Sequence, residues 1–358
     1  MPTTRFYSHV AVATTLLAGV SWSATAQTER RTLSGDHVAI YNLAGSLRVQ
    51  AGSGNQVTVD VTRAGRDAAR LQIASGDLHG SQSLRVVYPG DRVVYPELRS
   101  GSRTQIRVND DGTFDDKSRD GDWFSRDRVE IRGSGTGLEA HADMVVSLPR
   151  GQRVVIHWGV GDATLSNVDG DIRLSVASAT VNAEHTRGRL DLDTGSGRVT
   201  VSDAQGEVVL DTGSGGVTIN GVRGDHLDLD SGSGSIRADD IDVKSFKADV
   251  GSGGLSVGRF KMARASVDVG SGGLDLDLLS VVEELTIDAG SGGVTVRLPA
   301  TQGAEVDIET GSGGIESDFA VQTTHLERNH VRGRIGDGRG RINIESGSGR
   351  VRLLKTGM

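Results

Sequence analysis

The chain has 358 residues, a formal net charge of −8, 51 Gly, only 5 Pro, no Cys and 4% aromatic residues. Glycine without much proline or a three-residue period excludes a collagen-like chain. The lack of cysteine excludes disulfides, thiolate metal sites and a lipid-anchored N-terminal Cys, and the negative charge argues against nucleic acid and anionic membranes as partners.

At the N-terminus Arg5 precedes the apolar run "VAVATTLLAGV", and Ala24-Thr25-Ala26 supplies an Ala-x-Ala cleavage site. This pattern predicts a signal peptide over 1–26, hence an exported chain, periplasmic or extracellular. No later stretch reaches the ~20 apolar residues of a transmembrane segment. Residues 27–145 read as an N-terminal region of irregular β-coils. Within it, 37–65 alternates strand and turn, and a charged insertion lies near 100–130. "NDDGTFDDKSRDGDWFSRDR" in that insertion reads as a solvated segment; the functional alternative is an interaction loop carrying Phe114, Trp123 and Phe124.

From 146 to 358 the chain is repetitive. Gly-Ser-Gly corners place Ser196, Ser214, Ser233, Ser252, Ser271, Ser291, Ser312 and Ser348 at steps of 18, 19, 19, 19, 20, 21 and 36. Two degenerate copies, "HWGVGDATL" from His157 and "SVASATVNA" from Ser175, precede them at the same spacing. A fixed period near 19 predicts a solenoid, in which each unit buries its apolar side against its neighbours. Within a unit the period is two. Leu192, Leu210, Leu229, Ala248, Val267, Ile287, Ile308 and Ile344 form one expected inward column, and Val199, Val217, Ile236, Leu255, Leu274, Val294, Ile315 and Val351 a second. The fold class is therefore all-β: a single-stranded parallel β-solenoid (β-helix) of about 19 residues per coil, right-handed, with two main strands and two corners in each coil. Residues 328–341 read as an irregular basic coil that fills the double step before Ser348.

In the corner, glycine supplies the bend. Serine is small enough to turn inward, where its hydroxyl serves a freed backbone group. Asp193-Thr194-Gly195-Ser196 by itself matches an aspartic-protease loop, but that chemistry needs two facing loops that share a dyad, whereas here the acids repeat side by side. Asp193, Asp211, Asp230, Asp249, Asp268, Asp288, Glu309 and Glu345 form an outward acidic column. Its preferred reading is capping of the corners by backbone hydrogen bonds; the alternative is a cation ladder. The short Gly-Gly-x-Gly-x-Asp period of calcium β-rolls is absent, and 109–122 lacks the order of an EF-hand loop. His325 and His330, with Glu327 between them, have no spacing that fixes a metal. His157-Trp158 reads as packing at the edge of the stack. The repeat region from 170 onward has no Trp or Tyr, so it offers no aromatic platform for a long sugar chain.

The signal peptide, the first module "VAIYNLAGSLRVQAGSGNQVTV" and the run of Gly-Ser-Gly-Gly coils together resemble the bacterial putative-adhesin family of exported β-strand-repeat proteins, a family of unknown function. The resemblance implies a parallel β-solenoid in an envelope-associated protein and carries no catalytic residues. The combined expectation is a non-enzymatic scaffold or interaction protein without cofactor or metal. Its partner would be an envelope or extracellular protein or glycan. The alternatives are a polysaccharide-acting β-helix enzyme and a cation-dependent structural protein.

Overall fold

The computed structural model describes residues 27–78, 80–115 and 127–356. Among them the fold is all-β, with one 3-10 turn at Ala68–Arg70 as the sole helical element. It is a β-solenoid-like stack of parallel strands. Each coil has an approach strand that ends at the Gly-Ser-Gly corner and an exit strand that leaves it.

Neighbouring coils pair in register. Gln152 lies beside Gly170, Asp169 beside Arg187, and Arg187 beside Gln205, an offset of 18. Val217 beside Ile236 and Ile236 beside Leu255 give 19, and Arg264 beside Glu284 gives 20. Alternation then sends every second residue inward. Leu192, Leu210, Leu229, Ala248, Val267, Ile287, Ile344 and Ile308 are all buried, as is the second expected column except Ile315, which is half-buried at the end of the stack. The second turn of each coil is tight enough that strands such as Val199–Ser214 and Ile236–Val250 run through it. Asn167, His185, Asp203 and Asp240 take φ of 54°, 52°, 52° and 57° at that turn, where short polar side chains tolerate the left-handed region best.

Glycine at the main corner is dictated by stacking as well as by bending. At Gly197 φ is +127° and a Cβ would lie 1.8 Å from the Ala179 carbonyl oxygen of the coil below; at Gly215 the same atom would lie 1.8 Å from the Gly197 oxygen. At these two positions no side chain fits, because each glycine rests on a carbonyl of the coil before it.

Both ends of the stack depart from chain order. At the N-terminal end the coil 37–51 sits directly against 152–166, with His37 beside Arg153 and Leu47 beside Ala163. The described strands between them fold back as a cap. His141–Leu148 covers the far edge of Leu47–Ala51, the hairpin Gln72–Leu78 with Ser81–Val87 covers His37–Ala44, and a separate four-stranded sheet lies alongside. Buried polar groups lock this closure. Tyr88 Oη donates to Asn42 Oδ1 at 2.7 Å, Asn42 Nδ2 donates to the Ala142 carbonyl at 2.7 Å, and Trp158 Nε1 donates to the Gly45 carbonyl at 3.0 Å.

At the C-terminal end the expected order fails. The last coil, 340–355, does not follow 304–317 but is inserted beneath it. Glu284–Ala289 pairs with Gly340–Ser346, which pairs in turn with Ala304–Thr310. Val294–Leu298 pairs with Val351–Lys355, which pairs with Ile315–Ser317. The double step before Ser348 is therefore no irregular coil. Residues 322–335 form an antiparallel hairpin laid against Ala304–Thr310 that closes the stack. Antiparallel strands end the parallel ladder without asking for another coil.

Candidate functional site

The most regular chemical feature is the outward column just before the corner. Asp193 faces Asp211, and the series continues through Asp230, Asp249, Asp268, Asp288 and Glu345 to Glu309. Toward the N-terminus the same column reads Ser175, His157, Tyr41 and Arg85. The degenerate repeats begin with the first two of these residues, so the sequence held that signal. The position of His157 opposite Tyr41 did not show, because Tyr41 is more than a hundred residues away in the chain.

Where the acids give way to Ser175 and His157, the segment Asn109–Asp115 packs over the column. Phe114 is buried there, with its ring edge-on to Tyr41 at 6.0 Å and to His157 at 6.1 Å. Tyr41 and His157 stack with centroids 4.6 Å apart and planes 4° apart. Ser175 Oγ donates to Asp115 Oδ2, and His157 Nδ1 lies 3.8 Å from that same oxygen. His157 is 7% exposed, and its Nδ1 has no hydrogen-bond partner among the described residues. A cavity of about 350 Å³ opens beside the contact, lined by Gln105, Arg107, Asp115, Ser175 and Asp193 among others. Ser, His and Asp meet here in the wrong order for nucleophilic catalysis. The carboxylate stands between the hydroxyl and the imidazole, so the imidazole is not placed to take the serine proton. What the contact does is hold the segment before residue 116 against the stack.

Phe114 is therefore core and not part of an open interaction loop. Trp123 and Phe124 lie outside the described residues. Asp111 is engaged in shaping its own turn, where its Oδ1 accepts from the Thr113 N–H at 3.1 Å and from Thr113 Oγ1 at 2.7 Å.

The corner serines reverse in direction but keep part of the expected role: Ser233 Oγ donates to the Gly213 carbonyl and Ser252 Oγ to the Gly232 carbonyl, both at 3.4 Å. Ser214, Ser233, Ser252, Ser271, Ser291, Ser312 and Ser348 are exposed and Ser196 is half-buried. The side chain that turns inward belongs to the residue two positions earlier: Thr194, Thr212, Ser231, Ser346 and Thr310 are buried, with Val250, Val269 and Ala289 at the same level of the intervening coils. Ser231 Oγ receives the Gly234 N–H at 3.1 Å, and Thr310 Oγ1 receives the Gly313 N–H at 3.0 Å. Thr194 Oγ1 and Thr212 Oγ1 are buried with no hydrogen-bond partner among the described residues. The reversal follows from strand alternation: Leu192 and Thr194 share a face, and the glycine bend then swings Ser196 off it.

The acids face outward as the period requires, but they do not cap the corners. Among the described residues Asp211, Asp230, Asp249, Asp268 and Asp288 accept no hydrogen bond and form no ion pair. Partial burial, reinforced by the Asp211 and Asp249 carboxylates, pushes the Asp230 carboxyl above its ordinary value. Partial burial, with Asp249 and Asp288, does the same to Asp268. Elsewhere on the surface, opposite charges meet across coils: Arg189–Glu207 at 2.6 Å, Lys244–Asp225 at 2.7 Å and Arg223–Asp240 at 2.7 Å. The outward column is thus a line of like charge in a surface that otherwise compensates.

On the terminal hairpin, the His325 and His330 rings are 4.7 Å apart, but each is taken by its own carboxylate, Glu327 at 3.3 Å and Asp307 at 2.8 Å. Among the described residues no three His, Asp or Glu side chains are placed to hold a metal ion.

The Toastrack DUF4097 family profile matches residues 139–354. No curated protein matches the chain. Two crystal structures align at 11% identity. One is a "putative cell adhesion protein" from Clostridium sporogenes, covering 93% of this chain and 100% of that one with a TM-score of 0.23. The other is a "putative adhesin" from Bacteroides fragilis, covering 93% and 98% with a TM-score of 0.26.

Proposed function

The chain belongs to the Toastrack DUF4097 family, and on that premise we propose that it is an exported, non-enzymatic β-solenoid scaffold, wound right-handed, that engages an envelope or extracellular protein or glycan. The observation that carries this reading is the in-register outward column. It presents a carboxylate, Asp and then Glu, at successive coils from Asp193 to Glu309 on a framework held by backbone pairing along its length. A repeated, rigid display suits multivalent contact, in which weak units sum through effective concentration. Export rests on the pattern of residues 1–26, and the description as a binding module rests on the Ser175–Asp115–His157 order, which offers no activated nucleophile. Among the described residues no helix is long and apolar enough to cross a membrane.

The test uses immobilised 27–358 against fractionated envelope protein and glycan, together with a variant carrying Asp211, Asp230, Asp249, Asp268 and Asp288 all as Asn. Retention of a fraction by the parent and a tenfold or greater loss by the variant is the expected result, as ~5 weak contacts of this kind would give. Equal retention by both removes the column from the interaction. Cleavage of any polysaccharide in the panel overturns the non-enzymatic reading in favour of a β-helix enzyme. A cation-dependent structural role is the second reading, favoured by one observation: among the described residues the carboxylates of Asp211, Asp249, Asp268 and Asp288 accept no hydrogen bond and form no ion pair.

A further inference from the structure

The inserted C-terminal coil has a consequence for self-association. Residues 340–356 lie in a slot between two coils that both precede them in the chain. Below, the Arg341 N–H donates to the Glu283 carbonyl at 2.9 Å, and the Thr356 N–H donates to the Leu298 carbonyl at 2.7 Å. Above, the Asp318 N–H donates to the Leu353 carbonyl at 3.0 Å, and the Lys355 N–H donates to Asp318 Oδ2 at 3.1 Å. The slot has its own spacer. Gln302 is 2% exposed and its amide spans the gap at the slot's mouth, taking the Val282 N–H at 2.8 Å and donating to the Val282 carbonyl at 3.2 Å. A side-chain amide there stands in for the backbone rungs that a strand would supply. These two hydrogen bonds join the coil beginning at Ala304 to the coil beneath without passing through 340–356, while Gly340 packs against the same amide.

The segment that fills the slot is tethered only through 318–339, part of which is the hairpin on the end of the stack. About 22 residues can reach ~70 Å when extended, more than the height of several coils. The inserted coil meets its neighbours through backbone ladders and the common apolar columns, Ile344 between Ile287 and Ile308, and Val351 between Val294 and Ile315. None of these contacts distinguishes which chain supplies the coil, and exchange of an identical element is a low-cost route to dimers.

We propose that this slot is an exchange site that accepts residues 340–356 of a second copy, so that two chains join through reciprocally swapped terminal coils. The inference does not depend on the partner of the acidic column. A tether of this length gives the chain's own coil an effective concentration near the millimolar range, so single chains dominate in dilute solution and exchange grows with concentration.

The absence of cysteine makes the test clean. Asp288 and Glu345 are register partners on the two sides of the lower ladder. Chains carrying only Asp288→Cys are mixed with chains carrying only Glu345→Cys, unfolded together in denaturant, refolded and oxidised. The expected result is a covalent heterodimer whose fraction rises roughly tenfold between ~10 and ~100 µM, as exchange against a millimolar tether requires. The double variant Asp288→Cys/Glu345→Cys should close within one chain under dilute conditions, which checks the register without depending on exchange. Glu207→Cys, on a distant coil, replaces Asp288→Cys as the control for random collision. The proposal is overturned if the double variant closes while the mixed single variants give no more heterodimer than the Glu207→Cys control. Failure of the double variant to close overturns the inserted register itself. Neither result bears on retention by the envelope fractions above.

Discussion

Replacing one acid in the middle of the outward column tests the electrostatic argument directly. Asp249 has Asp230 on one side and Asp268 on the other, in register. Adjacent parallel strands are ~4.8 Å apart, so two exposed carboxylates in water repel by about 0.8 kcal/mol per pair. Asn keeps the shape and removes both repulsions, about 1.6 kcal/mol before screening. At ~0.1 M salt the Debye length of ~10 Å leaves about 1 kcal/mol, and at ~1 M, with a length of ~3 Å, about 0.3 kcal/mol. Asp249→Asn is therefore expected to stabilise the protein, raising its melting midpoint by about 2 °C at low salt and scarcely at all at high salt. The sign with pH is also fixed. Asp230 and Asp268 have raised folded-state carboxyl values, so ionising them penalises the folded state. That penalty is complete above the folded value and vanishes below the unfolded one, so it is relieved as pH falls through the acidic range. A variant with Asp230, Asp249 and Asp268 all as Asn should exceed the parent most at neutral pH and converge on it in acid. The assay is circular dichroism melting at two salt concentrations and across pH. A loss of stability on Asp249→Asn, or a gain indifferent to salt, refutes the bare-ladder argument and restores capping.

Calcium and sodium chloride at matched ionic strength should shift the melting midpoint equally, since no described group converges on an ion; a calcium-specific rise of about ten degrees, which several kcal/mol would give, would establish coordinated cations. Ser252→Leu, on an exposed corner, should change stability by less than about 1 kcal/mol in denaturant titration, whereas Ser231→Ala should lose about 1–2 kcal/mol by stranding the Gly234 N–H. Thr212→Val removes a buried hydroxyl that has no partner among the described residues and is expected to be neutral or stabilising by the same measurement. Gly234→Ala would place a Cβ 1.6 Å from the Gly215 oxygen and should lose more than ~3 kcal/mol, while Gly273→Ala, whose nearest neighbour would be 3.8 Å away, should lose less than ~1 kcal/mol.

The repeat alone fixed the strand period, the inward columns and the outward placement of the acids, because each is a local property: alternation decides the face, and a constant step near 19 decides which residues stack. It could not fix which way the corner serine turns. Leu192, Thr194 and Ser196 keep alternation in sequence, but the glycine bend at the corner breaks it in space, and Thr194 takes the interior. Nor could it find that Phe114 belongs to the core, since its partners Tyr41 and His157 come from coils far apart in the chain. The order of the final coils was hidden for the same reason. Ile308 and Ile344 satisfy the column below them equally well, so the apolar pattern is indifferent to which lies next to Ile287. The choice falls to features with no period. Gln302 holds a gap one coil high, and the hairpin 322–335 covers the outer edge of Ala304–Thr310, leaving the slot beneath as the place where residues 340–356 can pair on both sides.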